Sequence, residues 1–260
     1  MSISIEKKHD AAGRLIYART GICIPLVAPM VEFPYYCNNC ATLQVYCRTT
    51  EEIMRKYLDR TPFDFVSADY ILSISDMTNV TSTFGGMMDV AVIVPVRYKE
   101  HVGGHYLIEF ENNDITCILG REMWGYPKLL ADATLDEKDG RIVARAFRGG
   151  EEFMHLELDM SRPMQKELPE FKIYPHLQAH TIPDVDGASI FLQRILTRDT
   201  SGDFQLTRRA TGFGSAWIKD SGIIPMSGLM PREIYGAVYT VGDFAATEEN
   251  GASTVIDTII

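Results

Sequence analysis

In residues 41–48, Leu43, Val45 and Cys47 alternate with Gln44, Tyr46 and Arg48, the period of two that gives a strand one core face and one outer face. The period then changes. Thr49-Thr50-Glu51-Glu52 reads as a capping box, in which threonine oxygen and glutamate satisfy each other's orphan amides, and Ile53, Tyr57 and Leu58 share the face of a short helix that Pro62 ends. Beyond Pro62 the text is mostly β. Residues 68–76 form one expected strand and residues 89–96 another, apolar enough to be covered on both faces, with Pro95 where no ladder amide is required. Residues 105–111 and 115–120 pair as a hairpin across Asn112-Asn113-Asp114. A meander follows over 131–135, 142–147 and 153–158, turning at Lys138-Asp139-Gly140 and at Gly149-Gly150. Residues 188–196 suggest a second short helix, strands resume at 204–209 and 233–241, and the tail from Ala246 carries no firm assignment.

No segment repeats, and no linker rich in Pro, Gly or Ser divides the chain, so one domain over 1–260 is expected. The fold class is α+β and mostly antiparallel β: a curled sheet or barrel with a few helices.

Composition narrows the function. With 46% apolar residues, 260 residues can bury a large core unaided, and a net charge of −10, spread along the chain, argues against nucleic acid as a partner. No apolar run approaches the roughly 20 residues that span a bilayer, and the start lacks the apolar core of a secretory signal, so a cytoplasmic protein without membrane association is expected.

Several motifs carry little chemistry. Cys37-Asn-Asn-Cys40 has the spacing of a redox or zinc pair, but strand-like alternation follows it instead of a helix, and no second ligand pair matches; idle reduced thiols are the simpler reading. Gly103-Gly104 and Gly212-Phe-Gly214 belong to no phosphate-binding unit and read as turns or bulges. His101, His105, His155, His176 and His180 show no metal-ligand spacing, and residues 199–203 (DTSGD) lack the glycine and glutamate positions of a calcium loop. No metal is expected.

Lys128, within GREMWGYPKLLA, is different. It could be a surface lysine after a turn. However, Tyr126-Pro127 imposes an extended or turn backbone, and Trp124, Tyr126, Leu129 and Leu130 make the surroundings apolar. Such a setting lowers an amine's pKa. At the reference value of about 10.4, roughly one amine in 2,500 is neutral at pH 7; a pKa near 7 makes half of them so, a difference of about 4.6 kcal/mol.

The same stretch resembles the Gly-Arg-Glu-x-x-(Gly/Ala)-Tyr-Pro-Lys segment of the acetoacetate decarboxylase family, and the likeness runs without gaps from Asp89 to Lys128. Residues 43–58 resemble the family's first strand and capped helix. The resemblance covers about residues 35–160 well and the rest weakly. It implies a cone-shaped, mostly antiparallel barrel flanked by helices, a homo-oligomer, and a lysine that forms a Schiff base with substrate without metal or organic cofactor. Lys128 falls on that lysine and Asp89 on the family's catalytic glutamate. Gly120, Arg121, Glu122, Tyr126 and Pro127 match the signature, where Arg121 and Glu122 either meet substrate or brace the loop by a mutual or backbone contact.

Two departures bear on the reaction. The family's second lysine is Leu129 here, and the arginine near the substrate carboxylate falls at Cys40; a further family carboxylate falls near Tyr70. The sequence therefore points to an imine-forming lyase of small oxo acids, leaning to aldol condensation with dehydration or to decarboxylation of a β-keto acid other than acetoacetate. Acetoacetate decarboxylation itself and a non-catalytic ligand-binding barrel are the alternatives, and Trp124, Tyr126, Leu129, Arg121, Glu122 and Tyr70 are the expected substrate contacts.

Overall fold

The computed structural model describes residues 7–9, 15–17, 31, 33–222 and 224–260. Strands β1 (Lys7–His9) and β2 (Leu15–Tyr17) form a separate antiparallel pair. The remaining strands are β3 (Tyr35–Arg48), β4 (Asp64–Phe65), β5 (Asp69–Met77), β6 (Met87–Tyr98), β7 (His101–Glu111), β8 (Lys128–Leu130), β9 (Asp132–Lys138), β10 (Arg141–Arg148), β11 (Glu151–Asp159), β12 (His176–Pro183), β13 (Ile190–Arg198), β14 (Gln205–Ile218), β15 (Glu233–Ala246) and β16 (Thr254–Thr258). They make one 14-stranded sheet whose path runs β16-β13-β12-β7-β6-β5-β3-β15-β14-β11-β10-β9, with β4 beside β6 and β8 beside β7. Only the β12–β7 and β7–β8 pairings are parallel.

The sheet curls but does not close. Its path ends at β16 and β9, while β9 folds back across β5 and β6, so the main core lies in the hollow of the curl. Leu43, Val45, Leu72, Ile74, Val90, Val92, Phe110, Ile142 and Phe153 meet there. The expected mostly antiparallel curled sheet is what forms; the closed barrel is not.

Helix α1 (Glu51–Leu58) begins at Thr50, whose side chain accepts the Ile53 amide, and Pro62 lies beyond its end, as the capping signal implied. The hairpin expected across residues 112–114 is replaced by helix α2 (Asp114–Trp124). Asn113 is its N-cap, accepting the amides of Ile115 and Thr116, and Gly125 closes it in the left-handed region at φ 71°. With Asp114 in the first turn and Arg121 in the last, both ends suit the helix dipole; the Asn-Asn-Asp run is a cap, not a turn.

The Asn113 amide nitrogen also donates to the carbonyls of Phe84 and Gly86, tying α2 to the approach to β6. Asn113→Ala is expected to cost about 2 kcal/mol, roughly half from the cap and half from the lost amide bonds, read as a lower urea midpoint with an unchanged slope.

Residues 188–196 also form a strand, not a helix. Ile190, Phe191 and Ile195 favour the pleated β13, which β12 and β16 flank on both edges. The tail supplies β16. The glycine pair Gly103-Gly104 lies inside β7, not at a turn: a Cβ at Gly103 would stand 2.0 Å from the Pro175 carbonyl oxygen, and one at Gly104 2.5 Å from that of Ile173. Their bareness lets residues 173–176 cross directly over β7, and Gly104 donates to both carbonyls.

Candidate active site

The pleat assembles the site from strands distant in sequence. Glu109 and Glu111 stand two apart on one face of β7; Asp89 of β6 lies opposite Glu111, and Lys128 of β8 lies opposite Glu109. The row continues through Ser75, Thr42 and Thr240 on β5, β3 and β15, so one polar line crosses six strands and ends in three carboxylates and an amine. Alternation sends the intervening apolar residues to the core.

All four ionisable groups are buried. The Lys128 ammonium bonds the Glu111 carboxylate, lies 3.1 Å from Glu109 Oε1 and 4.0 Å from Asp89 Oδ1. The three carboxylates could hold a cation among them, and the cation seated there is the lysine itself.

Three carboxylates against one ammonium would leave two negative charges in a dry site, and protonation relieves this. Burial drives the Glu109 carboxyl well above its ordinary range, with Lys128 opposing and Asp89 and Glu111 adding to the rise. Burial likewise pushes Asp89 up to about 6, against the pull of Lys128. For Lys128, burial favours the neutral amine, but Glu109, Glu111 and Asp89 outweigh it and hold the group charged well above its usual value. The expectation of a depressed lysine pKa is thereby reversed. The apolar surroundings expected of it form only in part: Trp124 and Tyr126 are buried beside it, with the Tyr126 ring 5.4 Å from the ammonium, but Leu129 packs against the main core on the opposite face and Leu130 is half exposed.

Gly120 explains the glycine of the signature. The stem of Lys128 passes over α2, and a Cβ at position 120 would lie 2.3 Å from Cε and 2.4 Å from Cδ.

A cavity of about 380 Å³ opens beside the cluster. Lys128, Asp89, Trp124 and Tyr126 line it. Arg121 and Glu122 are exposed on α2; the Arg121 guanidinium donates to the Lys128 carbonyl at 3.2 Å, a backbone brace, and the Glu122 carbonyl takes a hydrogen bond from His180. Tyr70 is enclosed in the core, donating to the Leu229 carbonyl. Cys40 faces the cavity, while Cys37 is enclosed beside it, in a β3 that begins six residues earlier than the alternation indicated and bulges at Asn39.

Sequence reasoning overlooked Glu109, Glu111, His176 and Arg198, all of which line the cavity. The first two had a signal, in that two acids at i and i+2 share one face of a strand that begins apolar and glycine-rich. His176 and Arg198 had none, because their strands meet the site only through the fold. Arg198 stacks on Trp124 at 4.0 Å, donates to the Gly251 carbonyl at 2.8 Å and reaches the hydroxyl of Tyr35, and its charge acts on the Tyr126 phenol.

This open curled sheet has known counterparts. It aligns with acetoacetate decarboxylase from Legionella pneumophila at a TM-score of 0.74 and 20% identity, over 87% of this chain and 88% of that one. It aligns with the enduracididine biosynthesis enzyme MppR complexed with pyruvate at 0.71 and 12%, over 98% and 99%. In sequence, it is 28% identical over 229 residues to the acetoacetate decarboxylase of Burkholderia vietnamiensis, covering 85% of this chain and 89% of the relative. The family model for acetoacetate decarboxylase matches residues 23–254, and the chain belongs to that family. Among the described residues no helix is long and apolar enough to cross a membrane.

Proposed function

We propose that this protein is a lyase that joins Lys128 to the ketone of a small oxo acid as an imine. The observation that carries the reading is the seating of one buried ammonium among three carboxylates. A protonated imine has the same single positive charge at nearly the same point, so the field that holds the ammonium also stabilises the iminium; only the neutral amine between them is disfavoured.

In the forward step the Lys128 ammonium passes a proton to the Asp89 carboxylate. The freed lone pair attacks the ketone carbon, and the carbonyl oxygen takes a proton from neutral Glu109. The new nitrogen centre returns a proton to Glu109, and its lone pair then expels the hydroxyl, which leaves as water with the proton held on Asp89, so both carboxyl groups regain their starting states. The iminium accepts an electron pair, either from a breaking bond to CO₂ or from a C–H bond whose proton goes to a carboxylate. The enamine so formed is protonated in the first case and can attack an aldehyde in the second.

We favour condensation with an aldehyde, or decarboxylation of a bulkier keto acid, over acetoacetate decarboxylation. The cavity lies in the roughly 300–1,000 Å³ range that suits drug-sized ligands, and a four-carbon acid would fill little of it. A solved relative in complex with pyruvate supports an oxo acid as the imine partner. The names of the curated relatives support the second reading, acetoacetate decarboxylation. A screen of oxo acids with and without aldehydes, following CO₂ release and conjugated enone absorbance together, separates them. CO₂ from acetoacetate at a normal enzymatic rate would reverse the preference.

The proton path sets a pH dependence. Below about pH 6 Asp89 is protonated and cannot accept from Lys128; above it the carboxylate is free. Imine formation is therefore expected to accelerate as pH rises through about 6, and Asp89→Asn to be slow and flat over that interval, as measured by borohydride trapping rates.

A further inference from the structure

We propose that His176 presents its Nε2–H to the carboxylate of the substrate, forming a carboxylate subsite on the wall of the cavity that holds the acidic cluster. The proposal rests on the oxo-acid reading above for its ligand class and adds the residue that recognises the acid group.

The hydrogen-bond directions fix the tautomer. The Tyr126 hydroxyl lies 2.7 Å from His176 Nδ1. If Nδ1 carried the proton, the phenol oxygen would accept it and the phenol's own hydrogen would have no acceptor among the described residues. The phenol therefore donates to Nδ1, and the imidazole proton resides on Nε2.

That Nε2–H has no partner among the described residues, although His176 is only 6% exposed and lines the cavity. A buried, unsatisfied donor is costly and calls for an acceptor when the site is filled. The ring cannot turn away. Tyr174 stacks on it at 4.5 Å and 20°, Tyr106 leans against it at 4.7 Å, and the backbone of 173–176 is fastened over the bare Gly104. Burial, assisted by the charges of Arg198 and Lys128, brings the imidazole down to about 3, so it works as a neutral donor.

Polarity decides which substrate oxygen it meets. The ketone must reach Lys128, where neutral Glu109 supplies a proton. The substrate's carboxylate is repelled by Asp89 and Glu111 and drawn toward Arg198. Arg198 is already committed to Gly251 and Tyr35, so it acts through its charge: the guanidinium makes the Tyr126 hydroxyl more acidic, and a stronger phenol bond to Nδ1 strengthens the Nε2–H as a donor. His176 touches the acid, while Tyr126 and Arg198 position and polarise it. Cys40 and Leu129, the two departures from the family pattern, leave this arrangement untouched.

Two measurements test the subsite. Wild-type protein labelled with ¹⁵N-histidine is titrated with propionate, a carboxylate with no ketone, and with acetone, a ketone with no carboxylate; His176→Phe assigns the signal. The His176 spectrum should show a protonated Nε2, and that N–H should shift with propionate and not with acetone. A protonated Nδ1, or no shift with propionate, overturns the proposal whether or not an imine ever forms. Borohydride trapping is then compared for pyruvate and acetone. In His176→Phe the half-saturating pyruvate concentration should rise roughly ten- to a hundredfold, the range for a hydrogen bond to a charged group, with acetone unchanged. Tyr126→Phe should give a smaller loss of the same selectivity. An equal loss for both ketones would assign His176 to the carbonyl and overturn the subsite. Propionate shifts without any trappable adduct would leave the subsite standing and remove the lysine reading alone.

Discussion

Borohydride added with pyruvate or acetoacetate should leave a permanent mass increase on the intact chain, and Lys128→Ala should abolish it. Reduction converts a transient iminium into a stable secondary amine, so the increase reports the bond itself and not mere binding. The effect is expected to be complete, because among the described residues no other lysine is held against Glu109, Glu111 and Asp89. Lys128→Arg makes the stricter control: it keeps a cation beside the carboxylates, sparing them an unpaired buried charge, but a guanidinium is not deprotonated and cannot attack. Both variants should lose the adduct while Lys128→Arg retains the wild-type near-ultraviolet spectrum. Failure of the wild-type protein to form an adduct with any oxo acid would sink the imine mechanism.

Gly120→Ala should be nearly as damaging without touching a reacting group. The added methyl would stand 2.3 Å from Lys128 Cε, so the lysine stem must leave its path along α2. A displacement of about 1 Å at a reacting atom costs on the order of a hundredfold in rate, and that is the expected loss in trapping. The fold argues in the opposite sense, since alanine favours a helix interior over glycine by about 1 kcal/mol. A variant that melts near the wild-type temperature yet traps slowly would place the defect in the amine's position. Trapping at the wild-type rate would show that the lysine stem has room the structure does not reveal.

Local pattern carried much of the architecture. Alternation located the central strands and the meander of β9 to β11, and Thr50 announced α1 through chemistry confined to four residues. The misreadings share a cause. Asn113 and Gly125 are equally good turn residues and helix caps, and residues 190–198 are apolar enough for either element until β12 and β16 flank them. Leu129 illustrates the same limit within the site: next to the lysine in sequence, it faces away from the cavity because a strand reverses direction at each residue.

The sequence by itself determined that this chain makes a mostly antiparallel sheet and that Lys128, following a rigid Tyr-Pro turn, is its most distinctive amine. Both follow from interactions among residues a few positions apart. Only the tertiary structure decided what that amine is. Register across β6, β7 and β8 surrounds it with three carboxylates, which reverse the effect of burial and hold it charged, and the crossing over Gly104 brings His176 to the same cavity. Charge acts through space, so its balance at Lys128 could be read only once strands far apart in the chain stood side by side.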